Sequence, residues 1–247
     1  MRCSFFLLGV LIAAVAALVP FAARAADPAP SRCAAPAEFI QDDPQLSGVA
    51  TNLQKHQPIV IVAIGGASTA GAGPDNAYPH FLEEALHQRH PDQPITVINR
   101  GKSGETAEEM AARFPKDVYP DHPTLVIWET GTVDAVRGED IDSLAGTLGD
   151  GIDAIKSHGA EMMLMDMQYN PGTVSVINFE PYLDALHQTA QLQDVYMFKR
   201  FDLMKYWNDA GAFDFIGVPK EKRAALAREY YECLGEKLAD AIDYAAR

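Results

Sequence analysis

The chain has 247 residues, and its 34 acidic against 20 basic residues give a formal net charge of −14 at pH 7. A surface this acidic repels phosphate groups, which excludes nucleic acid and anionic membranes as natural partners. The length and the 48% hydrophobic content suit one globular domain with a sizeable core.

The N-terminal residues have the pattern of a cleavable signal peptide. Arg2 supplies a basic start, residues 5–21 are almost wholly apolar, and the small residues around Ala25 fit a cleavage site. We therefore expect residues 1–25 to be removed and the protein to be periplasmic or secreted; an uncleaved membrane anchor is the alternative. The proline-rich residues 26–45 predict an extended N-terminal segment, which leaves residues 46–247 as the main domain.

Two cysteines remain after the predicted cleavage, Cys33 and Cys233. An even number of cysteines in an oxidising compartment favours a disulfide bond between them. The alternative is a metal site, but neither cysteine has a second ligand at a usable spacing, so we expect no metal. The glycines match neither a dinucleotide fingerprint nor a phosphate-binding loop, so no cofactor is expected.

Apolar runs rich in β-branched residues alternate with helical patterns along the main domain. This alternation, with short connections, predicts a parallel sheet covered by helices on both faces. The predicted strands are residues 59–64, 95–98, 125–128, 162–167 and 195–198, and the predicted helices are residues 79–89, 106–113, 140–157, 180–191 and 221–244.

Three segments rich in glycine and hydroxyl residues follow the first three predicted strands. They read GGASTAGAG at 65–73, NRGKSGET at 99–106 and ETGTVD at 129–134. Ligands of parallel sheets bind beyond the carboxyl ends of the strands, so these segments predict a shared pocket.

In order and spacing, the three segments resemble the first three blocks of the SGNH/GDSL hydrolases, G-D-S-x-T-x-G, N-x-G-x-S-G-x-T and G-T-N-D. The resemblance extends to the closing helix and covers nearly all of the mature chain. It implies a three-layer α/β/α sandwich with a five-stranded parallel sheet, in the flavodoxin-like strand order 2-1-3-4-5. It also implies a serine hydrolase that acts on ester bonds.

The family's catalytic residues transfer to this sequence only in part. With the T-x-G of the first block in register, the nucleophile position is Ala67; a shift by one residue makes Ser68 the candidate nucleophile. Gly104 falls on the glycine that binds the oxyanion. Val133 occupies the position of the family's asparagine and offers no side-chain donor. Asp134 is a further catalytic candidate, which would orient a neighbouring group; the alternative is that it braces its own loop.

The family's base is the least well matched element. A D-x-x-H segment is expected before the last helix, but no histidine follows His187. His80, at the start of the helix after the first loop, is one candidate for the base, and a water activated by an aspartate is the other. We interpret His187 as a packed or surface residue. The residues expected to line the substrate site are Gly66, Ala67, Thr69, Asn99, Ser103 and Val133.

Two functions remain open at this stage. The first is an exported esterase, with an impaired or non-standard catalytic site, that acts on acyl or acetyl esters of carbohydrate or lipid. The second is an inactive relative that keeps the fold and the pocket and binds a partner of the cell envelope.

Overall fold

In the computed structural model, residues 31–214 and 216–247 are described. The predicted signal peptide lies outside these ranges. Five strands form one parallel sheet, in the order β2-β1-β3-β4-β5, which confirms the predicted fold class and strand order. Their bounds are β1 Ile59–Gly65, β2 Ile95–Gly101, β3 Leu125–Glu129, β4 Glu161–Met165 and β5 Tyr196–Phe198.

Helices connect the strands and flank the sheet. All five predicted helices are present, although the second, predicted at residues 106–113, ends two residues early and a separate short helix follows it. The α-helices of the described residues, predicted or not, are α1 Ser47–Gln54, α2 Ala67–Ala70, α3 Tyr78–Arg89, α4 Ala107–Ala111, α5 Phe114–Asp117, α6 Thr132–Arg137, α7 Ile141–Ser157, α8 Pro171–Val174, α9 Glu180–Leu192, α10 Arg200–Asp209 and α11 Arg223–Ala245.

The core has two halves, one on each face of the sheet. Alternating residues of β1 divide between them: Ile61 and Ala63 pack with α3 and α11, whereas Val62 and Ile64 pack with α7 and α9. Successive side chains of a strand point to opposite faces, so a strand buried on both faces is apolar throughout. This arrangement makes the three layers of an α/β/α sandwich.

The N-terminal segment is tied to the last helix. Cys33 forms a disulfide bond with Cys233 of α11, with the two Cα atoms 5.1 Å apart, as predicted. The Tyr196 hydroxyl also donates a hydrogen bond to the carbonyl of Ile40. Within the described residues, no helix is long and apolar enough to cross a bilayer.

Candidate functional site

The loop after β1 separates Ala67 and Ser68, the two alternatives for the nucleophile. The strand ends at Gly65, and the short helix α2 begins at Ala67. Ala67 is exposed, whereas Ser68 is only 4% exposed. The position that matches the family's nucleophile therefore presents a methyl group to the surface, and the neighbouring hydroxyl lies beneath it.

Ser68 is held by a buried ion pair. Nη1 of Arg200 donates to Ser68 Oγ at 2.7 Å, and Nη2 of Arg200 donates to Glu129 Oε1 at 2.9 Å. Arg200 has no exposed surface, and Glu129 is 3% exposed. Burial is the largest single effect and lowers the pKa of Arg200, but the charge and hydrogen bond of Glu129, together with the nearby Tyr230 and Asp166, outweigh burial and raise this pKa above its ordinary value. The guanidinium stays positively charged beside the serine.

Glu129 also fixes the loop that carries Ser68. Its Oε2 accepts hydrogen bonds from the N–H of Gly66 at 2.7 Å and from the Thr69 hydroxyl at 3.0 Å. A Cβ atom at Gly65 would lie 2.7 Å from the same oxygen, so the strand end needs glycine there. One carboxylate therefore joins the end of β3, the start of α2 and the arginine.

Arg200 and Glu129 were missed by the sequence analysis, although each carries a signal. Glu129 ends the apolar strand β3, and Arg200 follows β5 at the same edge of the sheet. Opposite charges at the carboxyl ends of buried strands point to a site, since buried charges are paired.

The converging loops enclose a small cavity of about 170 Å³. The described residues that line it come from the three sequence blocks, from α4 and from the loop after β4. They are Gly66, Ala67, Ser68, Ser103, Gly104, Glu105, Met110, Glu129, Thr130, Gly131, Thr132, Val133 and Gln168. The cavity lies where the sequence predicted a pocket.

Gly104 lines this cavity with a backbone that favours glycine. Its φ is +84°, and a Cβ atom there would meet nothing within 4 Å. The positive φ, and not a lack of space, therefore favours glycine over other residues. Nη2 of Arg137 donates to the Gly104 carbonyl at 2.7 Å. The loop is thus held with Gly104 facing the cavity beside Ser103.

Asn99 and Thr69 do not line the cavity but hold the first two loops together. Nδ2 of Asn99 donates to the Thr69 carbonyl at 2.6 Å, and Oδ1 of Asn99 accepts from the Gly101 N–H at 2.8 Å. The Thr69 side chain is fully buried against Glu129. Both residues act on the site through the loop that carries Ser68.

The last two residues of the third block, Val133 and Asp134, have different roles. Val133 lines the cavity with an apolar side chain. Asp134 is 3% exposed and accepts two bonds from the Ala107 N–H, at 3.1 and 3.2 Å. Burial raises the pKa of Asp134 above its ordinary value. Asp134 therefore holds the start of α4 against α6 and does not face the cavity.

No histidine of the described residues lines the cavity. His80 lies 3.5 Å from Glu84 on α3 and is not among the residues that line the cavity beside Ser68. His187 has a more specific environment than the sequence analysis assigned to it. Its Nε2 lies 2.9 Å from Oδ2 of Asp166, and the other oxygen of this fully buried carboxylate accepts from the Phe201 N–H.

Metal chemistry has no obvious ligands in this region. Among the described residues, no three histidine, cysteine or acidic side chains cluster as a metal site would require. The polar groups of the cavity are hydroxyls, amides and carboxylates, and both carboxylates are ion-paired: Glu129 with Arg200, and Glu105 with Arg113 and Lys102.

Solved structures show the same fold at low sequence identity. The acetylxylan esterase Axe2 from Geobacillus stearothermophilus is 17% identical, with a TM-score of 0.58 over 73% of this chain and 94% of that one. The protein TesA is 20% identical, with a TM-score of 0.58 over 72% and 97%. An α/β hydrolase from the metagenome of Lake Arreo, Spain, is 15% identical, with a TM-score of 0.60 over 75% and 98%.

Sequence comparisons identify relatives over different lengths. An arylesterase of Vibrio mimicus is 32% identical over 97 residues, which are 39% of this chain and 48% of that protein, so the match spans about half of the relative. A model of the non-GDSL lipase-like family matches residues 32–247. This match covers nearly all the described residues, including Ser68, Glu129 and Arg200, and the chain belongs to the non-GDSL lipase-like family.

Proposed function

We propose that this protein is an exported esterase that cleaves small acyl esters, such as acetyl groups on carbohydrate or short acyl esters of lipid, with Ser68 as nucleophile. The observation that carries the proposal is the hydroxyl of Ser68 beside the small cavity, 2.7 Å from the buried guanidinium of Arg200. A fixed positive charge favours the negative charge that develops on a serine oxygen during attack.

The reaction would follow the order of serine hydrolases. Ser68 Oγ attacks the carbonyl carbon of the ester, and the hydroxyl proton passes to water, because no histidine of the described residues lines the cavity. The developing oxyanion faces the loop of Gly104. The leaving oxygen takes up the proton that the water accepted and departs as the alcohol; a second water then hydrolyses the acyl-serine, which releases the acid and restores the Ser68 hydroxyl.

We expect slow turnover because the site, in its described residues, lacks a histidine base and one oxyanion donor. General base catalysis typically contributes about 10²- to 10⁴-fold to the rate. Val133 also lacks the donor of the family's asparagine, and one such donor is worth about 10²- to 10³-fold. Losses within one catalytic unit do not simply multiply, but both act in the same direction.

The size of the cavity limits the acyl group. Its volume of about 170 Å³ compares with about 30 Å³ for each water molecule of the liquid, and with about 300–1,000 Å³ for pockets that hold drug-sized ligands. An acetyl or butyryl group fits this space, and a long fatty acyl chain does not. We therefore expect activity to fall steeply with chain length.

One observation favours a second candidate, a binding protein without turnover. Ala67 stands exposed at the position of the family's nucleophile, and Ser68 already accepts a hydrogen bond from Arg200. A protein of this kind would bind the acyl group in the same cavity and leave the ester intact.

Hydrolysis of p-nitrophenyl acetate and butyrate separates the two candidates. The purified mature chain is compared with Ser68→Ala and with Ser103→Ala, a control that removes another hydroxyl of the same cavity. Turnover that disappears in Ser68→Ala and persists in Ser103→Ala supports the esterase. Equal rates of hydrolysis in all three proteins would exclude Ser68 as a nucleophile, and so would the absence of hydrolysis in folded wild type.

Export is part of the proposal, and the Cys33–Cys233 disulfide supports it, because such bonds persist in oxidising compartments. N-terminal sequencing of the protein recovered from periplasm or medium should begin at Ala26. Recovery of a chain that still starts at Met1 in the cytoplasmic fraction would contradict export.

A further inference from the structure

A second cavity adjoins the small cavity beside Ser68 and has no role in the proposed attack on the ester. Its volume is about 230 Å³, and it lies between the loop after β4 and the helices α10 and α11. Gln168 lines both cavities, so they meet at this residue. We propose that the second cavity binds the alcohol part of the ester, and that it selects a six-membered ring that carries a carboxylate. This inference rests on the proposed esterase function.

The position of the two cavities suits the two halves of an ester. The acyl group and the alcohol are joined at the carbonyl carbon, which must lie near Ser68 Oγ for attack. An acyl group in the smaller cavity directs the alcohol outward, past the exposed Gln168, and into the larger one. The larger volume is consistent with a ring as the alcohol.

Aromatic side chains line the second cavity and are held in place by their neighbours. The ring of Tyr169 packs edge-on against Phe201, with centroids 5.3 Å apart. The ring of Tyr231 packs against the buried Tyr230, also at 5.3 Å. Rigid aromatic walls bind flat ligands at little cost in conformational entropy, and they favour a ring over a flexible chain.

One cation lines the cavity and two more precede it in the sequence, although the chain as a whole is acidic. Arg223 lines the cavity at the start of α11, and its Nε donates to the carbonyl of Val218, another lining residue, at 3.2 Å. Lys220 and Lys222 precede it, and all three cations are exposed. Glu221 is the one acidic residue of this turn.

None of these three cations takes part in an ion pair with the described residues, whereas Arg228, one turn further along α11, is paired with Glu232 at 3.1 Å. A guanidinium that is planar and has several donors recognises a carboxylate by paired hydrogen bonds. The charge of Arg223 and the aromatic walls together indicate a ligand that has a ring and a negative charge.

The test compares two acetyl esters that differ in charge, 4-acetoxybenzoate and phenyl acetate. For each protein, kcat/KM for the two esters is expressed as a ratio after correction for uncatalysed hydrolysis. We expect Arg223→Gln to lower the preference for the benzoate about tenfold, as the loss of one charge-assisted hydrogen bond would. The control Arg228→Gln makes the same change of charge outside the cavity and should keep the ratio.

The aromatic wall is tested on the same substrates. Tyr231→Phe retains the ring and should keep KM for both esters, whereas Tyr231→Leu should raise KM for both. Raised salt should reduce the preference for the benzoate in wild type and leave the ratio of Arg223→Gln unchanged, because salt screens an exposed charge. An unchanged ratio in Arg223→Gln, both for these two esters and for the pair of sugar esters described next, would overturn the inference.

A pair of sugar esters distinguishes the source of the ring. The acetyl ester of methyl galacturonate is compared with that of methyl galactoside in wild type and Arg223→Gln. A preference that depends on Arg223 in either the aryl or the sugar pair supports the inference and names the ring. Its absence from both pairs overturns the inference.

Binding of 4-hydroxybenzoate, measured by calorimetry, separates this inference from the proposed function. If no ester is cleaved but 4-hydroxybenzoate binds and loses affinity in Arg223→Gln, the esterase is wrong and the ring site stands. If phenyl acetate is cleaved through Ser68 and neither the ester ratio nor the binding depends on Arg223, the esterase stands and the ring site is wrong.

Discussion

Ser68 Oγ lies 2.7 Å from Nη1 of Arg200, a guanidinium with no exposed surface. Arg200 follows β5, which lies two strands away from β3 and three from β1. Strands lie about 4.8 Å apart, so the long arginine side chain reaches across the end of β4 to meet Glu129 and Ser68. The candidate site thus depends on a contact between opposite halves of the sheet.

Removal of the carboxylate should destabilise the protein strongly. Glu129→Gln leaves Arg200 as an uncompensated buried charge, and breaking a buried pair in this way costs about 3 to 5 kcal/mol of unfolding free energy. Urea denaturation measures the change. The control Glu232→Gln removes an exposed partner of Arg228 and should cost less than about 1 kcal/mol. Similar losses in both variants would contradict the structural role assigned to the buried pair.

A methyl group at Gly101 should displace the loop of Ser68. A Cβ atom there would lie 2.1 Å from the backbone nitrogen of Ala70, and backbone cannot move aside as a side chain can. We expect Gly101→Ala to lower the unfolding free energy by about 1 to 3 kcal/mol, the usual cost of overpacking, and to reduce hydrolysis.

Gly146→Ala is the matched control for this substitution. Gly146 is an exposed residue of α7, and a Cβ atom there would meet nothing within 4 Å. The change should stabilise the helix by up to about 1 kcal/mol and leave hydrolysis unaltered. If Gly101→Ala behaves like this control, the close approach of β2 to α2 is wrong.

His187 should make stability depend on pH near neutrality. Burial lowers the pKa of His187, but the hydrogen bond and charge of Asp166 outweigh burial and raise this pKa above its ordinary value. The folded state then binds the proton more tightly than the unfolded chain. The stabilisation is fully present below about pH 6.5, the ordinary pKa of histidine, and is lost as pH rises through the raised pKa.

Unfolding free energies between pH 5 and 9 test this prediction. Wild type should lose stability with rising pH in this window, and His187→Gln should lack that decrease. His80→Gln, which removes a partly exposed histidine from the surface of α3, should retain it. A decrease that survives in His187→Gln would show that another group titrates.

The sequence predicted the fold well because the signals for it are local. Apolar runs such as 59–64 and 125–128 alternate with amphipathic helices, and that alternation leaves few topologies open. The helix bounds shifted by one or two residues, as at Thr106, whose side chain caps α4. The disulfide of Cys33 followed from the count of cysteines.

The candidate site was harder to predict because its decisive contacts are not local. Glu129 and Arg200 are 71 residues apart, and no periodicity links them. The choice between Ala67 and Ser68 depends on which residue of a four-residue helix is buried. A run of glycine and other small residues does not specify this. His187 looked like an ordinary helical residue because its partner, Asp166, lies in the loop after β4, 21 residues earlier in the sequence.

Covalent labelling tests most directly whether Ser68 is the nucleophile. The folded mature chain is treated with a fluorophosphonate probe, digested, and mapped by mass spectrometry beside Ser68→Ala and Ser103→Ala. We predict one adduct on Ser68 in wild type and in Ser103→Ala, and none in Ser68→Ala. An adduct on any other residue, or folded wild-type protein that remains unlabelled, would contradict the proposed function.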